Sequence, residues 1–303
     1  MSIALTLLAA AALAQGAGPA SPPPLPPQPP AMPCLKPGEW RDGSGQPLPD
    51  ADGIASAAKA RVVLLGEAHA TPGIHAWQAA TTAALARDGR PLVIAVEWLP
   101  RRAQPALNRF IAGTTDEAQF LAESDWKTVW RHDFAAYRPV FALARERRIP
   151  IRAINIDRAI VRTTSREGID AGLAAARASG TPIARPAPPT TAYRAKLEAS
   201  FAAHGKPGDR PPQPEMIPRF MSAQGVWDRA MAEGIAAILA EQPAARVIGM
   251  MGLGHVAGGD GVAHQLAALG HRGVFAAIPG IADPEKGGAC DPGPNPAHLI
   301  AGW

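Results

Sequence analysis

The chain has 303 residues, 47% hydrophobic and 18% charged, with 30 Lys and Arg against 26 Asp and Glu and a formal net charge of +4. That length supports one large α/β domain or two small ones, and the apolar share is that of a folded rather than a disordered protein. The charge excess is mild, and no basic run or aromatic-interleaved patch appears. This argues against a nucleic-acid partner and suits a small anionic ligand.

The chain opens on an apolar run, Ile3 to Leu13, interrupted only by Thr6. It is too short to span a bilayer as a helix but fits the core of a secretory signal peptide, with Ala12-Leu13-Ala14 as the small-x-small cleavage site. The reading is therefore a signal peptide over residues 1–14 and export to the periplasm or beyond, although Met1-Ser2 lacks the usual basic charge. Residues 15–38 follow as a linker. Nine of the fifteen residues from Pro19 to Pro33 are proline, a composition that favours extended polyproline II and supports no helix or ladder. The two cysteines, Cys34 and Cys290, flank the folded region. In an oxidising compartment a bridge between them would close nearly the whole domain, worth about 5 kcal/mol by chain entropy before strain. No lipid-attachment box precedes Cys34, so anchoring to a membrane through it is not expected.

The globular part is read as residues 39–280. A short helix is expected at Ala55–Ala60, then strand Val62–Gly66. Thr71-Pro72 resembles a helix N-cap with proline at the first position, which predicts a helix over Gly73–Arg87. A second strand is expected over Leu92–Glu97. Helical pieces follow at Asn108–Ile111, Glu117–Leu121 and Ala135–Arg147. A third strand spans Pro150–Ile156, with a helix from Asp157. The segment 180–215 is Pro-rich around an amphipathic helix, Thr191–Ala203. A long helix over Ile217–Ala240 is next, its stripe Phe220, Gln224, Trp227, Met231, Ile235 having helical spacing. Strand Val247–Met251, a Gly-rich turn, helix Val262–Leu269 and strand Val274–Ile278 complete the domain. Residues 281–303 form an irregular tail. Short continuous apolar strands between helices predict a mostly parallel sheet, with helical insertions near 101–148 and 180–240.

Two of these strands stop on Gly-x-x-His: Gly66-Glu67-Ala68-His69 and Gly252-Leu253-Gly254-His255. A third ends on Glu97. Open α/β sheets bind ligands beyond the carboxyl ends of their strands, so Glu67, His69, Glu97 and His255 are the candidate catalytic set. Glu67, His69 and His255 are also candidate ligands for a divalent Mn, Fe or Zn ion, because desolvating a strand-end carboxylate calls for a cation. His75 and Gln78 lie one turn apart on the next helix, and Gln224 and Asp228 form an i,i+4 pair on the long helix; all four are supporting candidates. Tyrosine is scarce, so Tyr137 and Tyr193 are candidate haem-iron ligands, with His204 beside them. Neither Gly-x-Ser-x-Gly nor a Cys/His pair is present, which argues against ordinary serine or thiol hydrolysis.

Five segments together resemble the ChaN-like haem-binding uptake family of the Tiki and erythromycin-esterase-like superfamily. They are Leu64-Leu65-Gly66-Glu67-Ala68-His69 with His75 and Gln78; Ile94-Ala95-Val96-Glu97-Trp98; Ala153-Ile154-Asn155; Ala223-Gln224-Gly225-Val226-Trp227-Asp228-Arg229-Ala230-Met231-Ala232; and Gly252-Leu253-Gly254-His255-Val256. The likeness covers about residues 60 to 270. It implies an α/β core with a helical subdomain, export, and a role in haem or iron acquisition. Haem would be held non-covalently through tyrosine at the interface of a homodimer. By the wider superfamily's pattern it also implies an alternative, a metal-dependent hydrolase of peptide or ester bonds built on the Glu/His cluster.

Overall fold

The computed structural model describes residues 40–42, 46–203 and 216–280. The expected signal peptide, the whole Pro-rich linker, Cys34, Cys290, His204 and the C-terminal tail lie outside the described residues.

A two-stranded antiparallel ribbon, β1 (Trp40–Arg41) and β2 (Pro47–Leu48), leads into α1 (Asp50–Lys59). Sequence reading did not foresee the ribbon. It places Trp40 flat against α1, where a Cβ on Gly53 would lie 2.6 Å from the indole ring. There follow β3 (Val62–Glu67), α2 (Pro72–Leu85), β4 (Leu92–Pro100), α3 (Gln104–Ile111), α4 (Glu117–Glu123), α5 (Trp126–Val129), α6 (Arg138–Arg147) and β5 (Ile151–Asn155). The second half holds α7 (Arg158–Glu167), α8 (Ile169–Ala178), α9 (Thr191–Ala203), α10 (Met216–Glu241), β6 (Arg246–Gly252), α11 (Val262–Ala268) and β7 (Val274–Ala277). β4 runs three residues past Glu97, because Trp98 and Leu99 are apolar and buried and extend the strand.

The five long strands form one parallel sheet in the order β5-β4-β6-β3-β7. The fold is thus α/β, as expected. β6, the sixth strand in sequence, is inserted between β3 and β4, so the three strand ends carrying Glu67, Gly252 and Glu97 stand side by side. Register pairs Val63 and Ile94 with Ile248, and Val62 and Val93 with Val247. Paired residues of a parallel sheet share a face, and successive residues alternate. One face therefore buries Val63, Leu65, Ile94, Val96, Ile248 and Met250 against α2, α3 and α6, with an aromatic layer that includes Phe110, Phe120 and Phe141. The other buries Val62, Leu64, Val93, Ala95, Val247 and Met251 against Met231, Ile235 and Ile238 of α10 and Val262 and Leu266 of α11.

Close approach of α10 to β5 depends on Gly234. A Cβ there would stand 2.8 Å from Cβ of Ile154 and 3.3 Å from its Cα. We expect Gly234→Ala to be destabilising: overpacking typically costs about 1–3 kcal/mol, which outweighs the roughly 1 kcal/mol that alanine recovers in helix propensity. A urea midpoint equal to that of the parent would show that α10 can shift without cost.

Candidate functional site

Alternation along the strands sends the two strand-end carboxylates to opposite faces of the sheet. Glu67 follows Val63 and Leu65 onto the α2 side, whereas Glu97 follows Val93 and Ala95 onto the α10 side. Each is 1% exposed, and each is surrounded by its own donors.

On the α2 side, Glu67 accepts the Trp98 indole N–H at 3.0 and 3.2 Å and the Gln78 amide at 3.2 Å, and it faces Nδ1 of His69 at 2.8 Å. Gln78 gives its other amide hydrogen to the carbonyl of Leu65 at 3.1 Å. Its Oε1, 2.9 Å from His75 Nδ1, must therefore accept, which assigns the proton of His75 to Nδ1. Burial lowers the His75 pKa against the pull of Glu67, so this imidazole is neutral and its buried Nε2 is a bare lone pair without a hydrogen-bond partner. The His75 ring lies 4.0 Å from that of Tyr137, which packs on Trp98 at 4.7 Å. The Tyr137 hydroxyl accepts the Ala70 N–H at 3.0 Å. Burial and the charge of Glu67 raise the pKa of this phenol above its usual range.

On the α10 side, His255 stands between two acids. Its Nδ1 is 2.6 Å from Oδ1 of Asp228 and 2.9 Å from the Gln224 amide, and its Nε2 is 3.5 Å from Oε1 of Glu97. Desolvation opposes the charged imidazole, but Glu97 and Asp228 override it and raise its pKa to about 10. Glu97 responds in the other sense. Burial would push its carboxyl up, yet His255, His69 and the Gly252 N–H, which donates at 2.6 Å, hold it below the usual range. Asp228 is raised, because burial exceeds the help from His255 and from the Tyr193 hydroxyl, which donates to its Oδ2 at 2.8 Å. Asn155, at the end of β5, accepts the Trp227 indole at 2.7 Å and donates to the Glu97 carbonyl at 2.6 Å.

The halves meet over Gly252. A Cβ there would lie 2.9 Å from Cε1 and 3.1 Å from Nε2 of His69, and 3.5 Å from Oε2 of Glu97. Only the missing side chain lets the His69 ring cross the end of β6 towards Glu97. Burial disfavours the charged form of His69, but Glu67 and Glu97 raise its pKa. His69 is also the partly exposed member of the set, packing at the rim with Trp130 at 4.7 Å and His132 at 5.4 Å.

Glu67, His69, Glu97 and His255 thus gather at one end of the sheet, with His75, Gln78, Gln224 and Asp228 supporting them from α2 and α10. The two tyrosines are not at the rim. Tyr137 is 0% and Tyr193 5% exposed, and both hydroxyls are engaged inside the protein. The expected metal set of Glu67, His69 and His255 is not assembled. Among the described residues no group of three or more His, Cys, Asp and Glu is placed to hold a metal ion. The reason is the division between faces: Glu67 spends its oxygens on Trp98, Gln78 and His69, while His255 turns its Nδ1 to Asp228. Trp98 and Asn155 entered the sequence reading only within segments of the family resemblance, and Trp130 and His132 did not enter it. The first two adjoin or end strands and carry that signal; the others sit on a loop with none.

The family model described as haem-binding uptake, Tiki superfamily, ChaN matches residues 53–266, a span that includes every residue of this site. Among solved structures the chain is similar to ChaN of Campylobacter jejuni, described with cofacial haem binding, at 17% identity and a TM-score of 0.65, covering 89% of this chain and 99% of that one. Fainter likenesses are to the C-terminal region of Pasteurella multocida toxin (12% identity, TM-score 0.43, 82% of this chain and 27% of that one) and to an erythromycin esterase variant (13%, 0.43, 76% and 72%). At 17% identity the Campylobacter structure shows a shared fold and nothing finer. No curated protein matches it. By the family match over most of its length, the chain belongs to the ChaN family of haem-binding uptake proteins within the Tiki superfamily.

Proposed function

We propose that this is an exported haem-binding protein of haem or iron acquisition, acting as a homodimer in the manner the family implies. The observation that supports it best is the family match spanning the whole site. The ligand set we assign differs from the tyrosine ligation expected from the resemblance. An internally bonded phenol with a raised pKa is a poor source of tyrosinate, and both tyrosines are of that kind. His69 fits better. Its Nδ1 faces Glu67, and metal-binding histidines characteristically give their second ring nitrogen to a carboxylate; Glu67 and Glu97 favour the protonated ring, so iron would displace the Nε2 proton on binding. Beside it, burial and the charge of His69 lower the His132 pKa, so that imidazole is neutral and its lone pair is open to iron. Trp130, buried behind the rim, packs against the edge of the His69 ring at 4.7 Å and holds its orientation.

Hemin titration of the mature protein tests this. The expected result is a saturable Soret shift whose affinity falls at least about tenfold in His69→Ala/His132→Ala, where both assigned ligands are gone, and persists in Tyr137→Phe/Tyr193→Phe. A parent protein with no Soret shift would overturn haem binding; loss of the shift in the tyrosine variant alone would return ligation to a phenol. Export is checked by N-terminal sequencing of the secreted form, expected to begin at Gln15. Among the described residues no helix is long and apolar enough to cross a membrane.

Hydrolysis of an ester or peptide bond is a second reading, favoured by the Glu97–His255–Asp228 contact. With His255 held as imidazolium, Glu97 is the base and His255 the acid. Turnover of an ester panel that is lost in Glu97→Gln but indifferent to hemin would support it.

A further inference from the structure

Beside the rim, a cavity of about 470 Å³ opens between the ends of β4 and β5, the loop after α5 and the start of α7. Its size is that of a small-molecule pocket. Four arginines line it, Arg102, Arg131, Arg158 and Arg162, against two acids, Asp125 and Asp157. Both acids are used by one of the four: Arg102 lies 2.7 Å from Asp157 and 3.9 Å from Asp125. Arg131, Arg158 and Arg162 have no carboxylate within ion-pair distance among the described residues.

We infer that Arg131, Arg158 and Arg162 form an oxyanion subsite, taking the phosphate or carboxylate end of a small molecule whose remainder reaches the His69–Glu97 rim. Three observations carry this. Arg158 is half-buried beside like charges. Burial and Arg131 push its pKa below the usual range, Glu97 pulls against them, and Arg162 adds to the depression. Held without an anion, that arrangement is unfavourable; a bidentate anion relieves it. Second, Arg158 is the first residue of α7, whose first turn contains no acidic residue and receives no side-chain cap, since Asp157 is drawn away to Arg102. The unfilled N–H groups and the positive end of the helix dipole therefore face the same cavity as the guanidinium groups. Third, Arg131 holds a left-handed backbone at φ 71°, strained for a residue with a side chain. It is exposed, and among the described residues its guanidinium hydrogen-bonds only a backbone carbonyl, that of Thr128 at 3.3 Å.

The test is calorimetric titration of the mature protein with inorganic phosphate and with succinate at low ionic strength. Both parent and Arg177→Gln, a change outside the cavity, are expected to show saturable binding, and Arg158→Gln to weaken it at least about tenfold while melting with the parent. A parallel arm compares hemin with its dimethyl ester. If the ester binds more weakly in the parent but not in Arg158→Gln, the anion is a porphyrin carboxylate. If hemin and ester bind alike while phosphate still depends on Arg158, the subsite stands and takes another anion. Absence of hemin binding would end the haem reading and leave the phosphate result decisive here. The inference is overturned if neither anion saturates, or if Arg158→Gln binds both within twofold of the parent.

Discussion

Replacing His255 with alanine is expected to cost about 3–5 kcal/mol of folding stability at pH 7, the range for breaking a buried ion pair from one side. The imidazolium is the shared counter-charge of Glu97 and Asp228, each 1% exposed. Without it both acids are buried with hydrogen bonds, and His69 and Arg158 are left as the cations that act on Glu97. The pH dependence follows from the directions of the shifts. The folded pKa of His255 is raised, to about 10, so its contribution is complete below its unfolded value and is lost as pH rises through the folded one. Glu97 is depressed, so its contribution is present above its unfolded value and disappears as pH falls through the folded one. In the alanine variant the two acids lose the group that favours their charged forms, and acidification relieves the strain by protonating them. The gap between parent and variant should be widest near about pH 6.5, shrink as pH rises towards about 10 and the His255 contribution is lost, and narrow towards pH 4–5 as the acids protonate. Urea unfolding at pH 5, 7 and 9 measures it. A constant gap, or one below about 1 kcal/mol at neutral pH, would mean that the acids are solvated through another route.

A loss of similar size, about 3–5 kcal/mol, is expected from Arg246→Met, because three main-chain carbonyls lose a charged donor at roughly 1–3 kcal/mol each, but with ligand binding intact. Arg246 is 1% exposed at the start of β6. Its guanidinium donates to the carbonyls of Ala58, Ala60 and Leu85 and to Asp88 at 2.7 Å. The three carbonyls terminate α1, the turn before β3, and α2, so one side chain closes that end of the sheet. Methionine fills much of the volume and leaves the three carbonyls without this donor, while the exposed Asp88 keeps the Arg90 N–H at 3.0 Å. The site lies at the other end of the same strand, six residues on, about 20 Å away at roughly 3.3 Å per residue. Thermal melting should therefore drop by several degrees while the hemin and phosphate titrations stay within error of the parent. Weakened binding in a folded Arg246→Met protein would show that the two ends are coupled through β6.

The contrast between the two ends marks what can be read from a linear chain. Hydrophobic runs such as Val62–Leu65 and Leu92–Val96 announce buried parallel strands, because no other element needs so short an apolar stretch between helices. The residues that follow them, Glu67, His69, Glu97 and His255, must then lie at one sheet end, since every strand runs the same way. The Gly-x-x-His echo and the Gln224–Asp228 spacing carried the family resemblance on local pattern alone.

Which face each carboxylate takes is a different kind of fact. It depends on register, and register is set by how β6 pairs with β3 on one side and β4 on the other, contacts such as Val62–Val247 and Leu92–Arg246 that are remote in sequence. That pairing divides Glu67 from Glu97, joins them across Gly252, and undoes a shared metal site. Burial likewise came from packing: nothing in the residues around Tyr137 or Tyr193 says that their hydroxyls turn inward. The arginine cavity is non-local in the same way, since Arg131 leaves a loop and Arg158 and Arg162 a helix, and electrostatics acts through space rather than along the backbone.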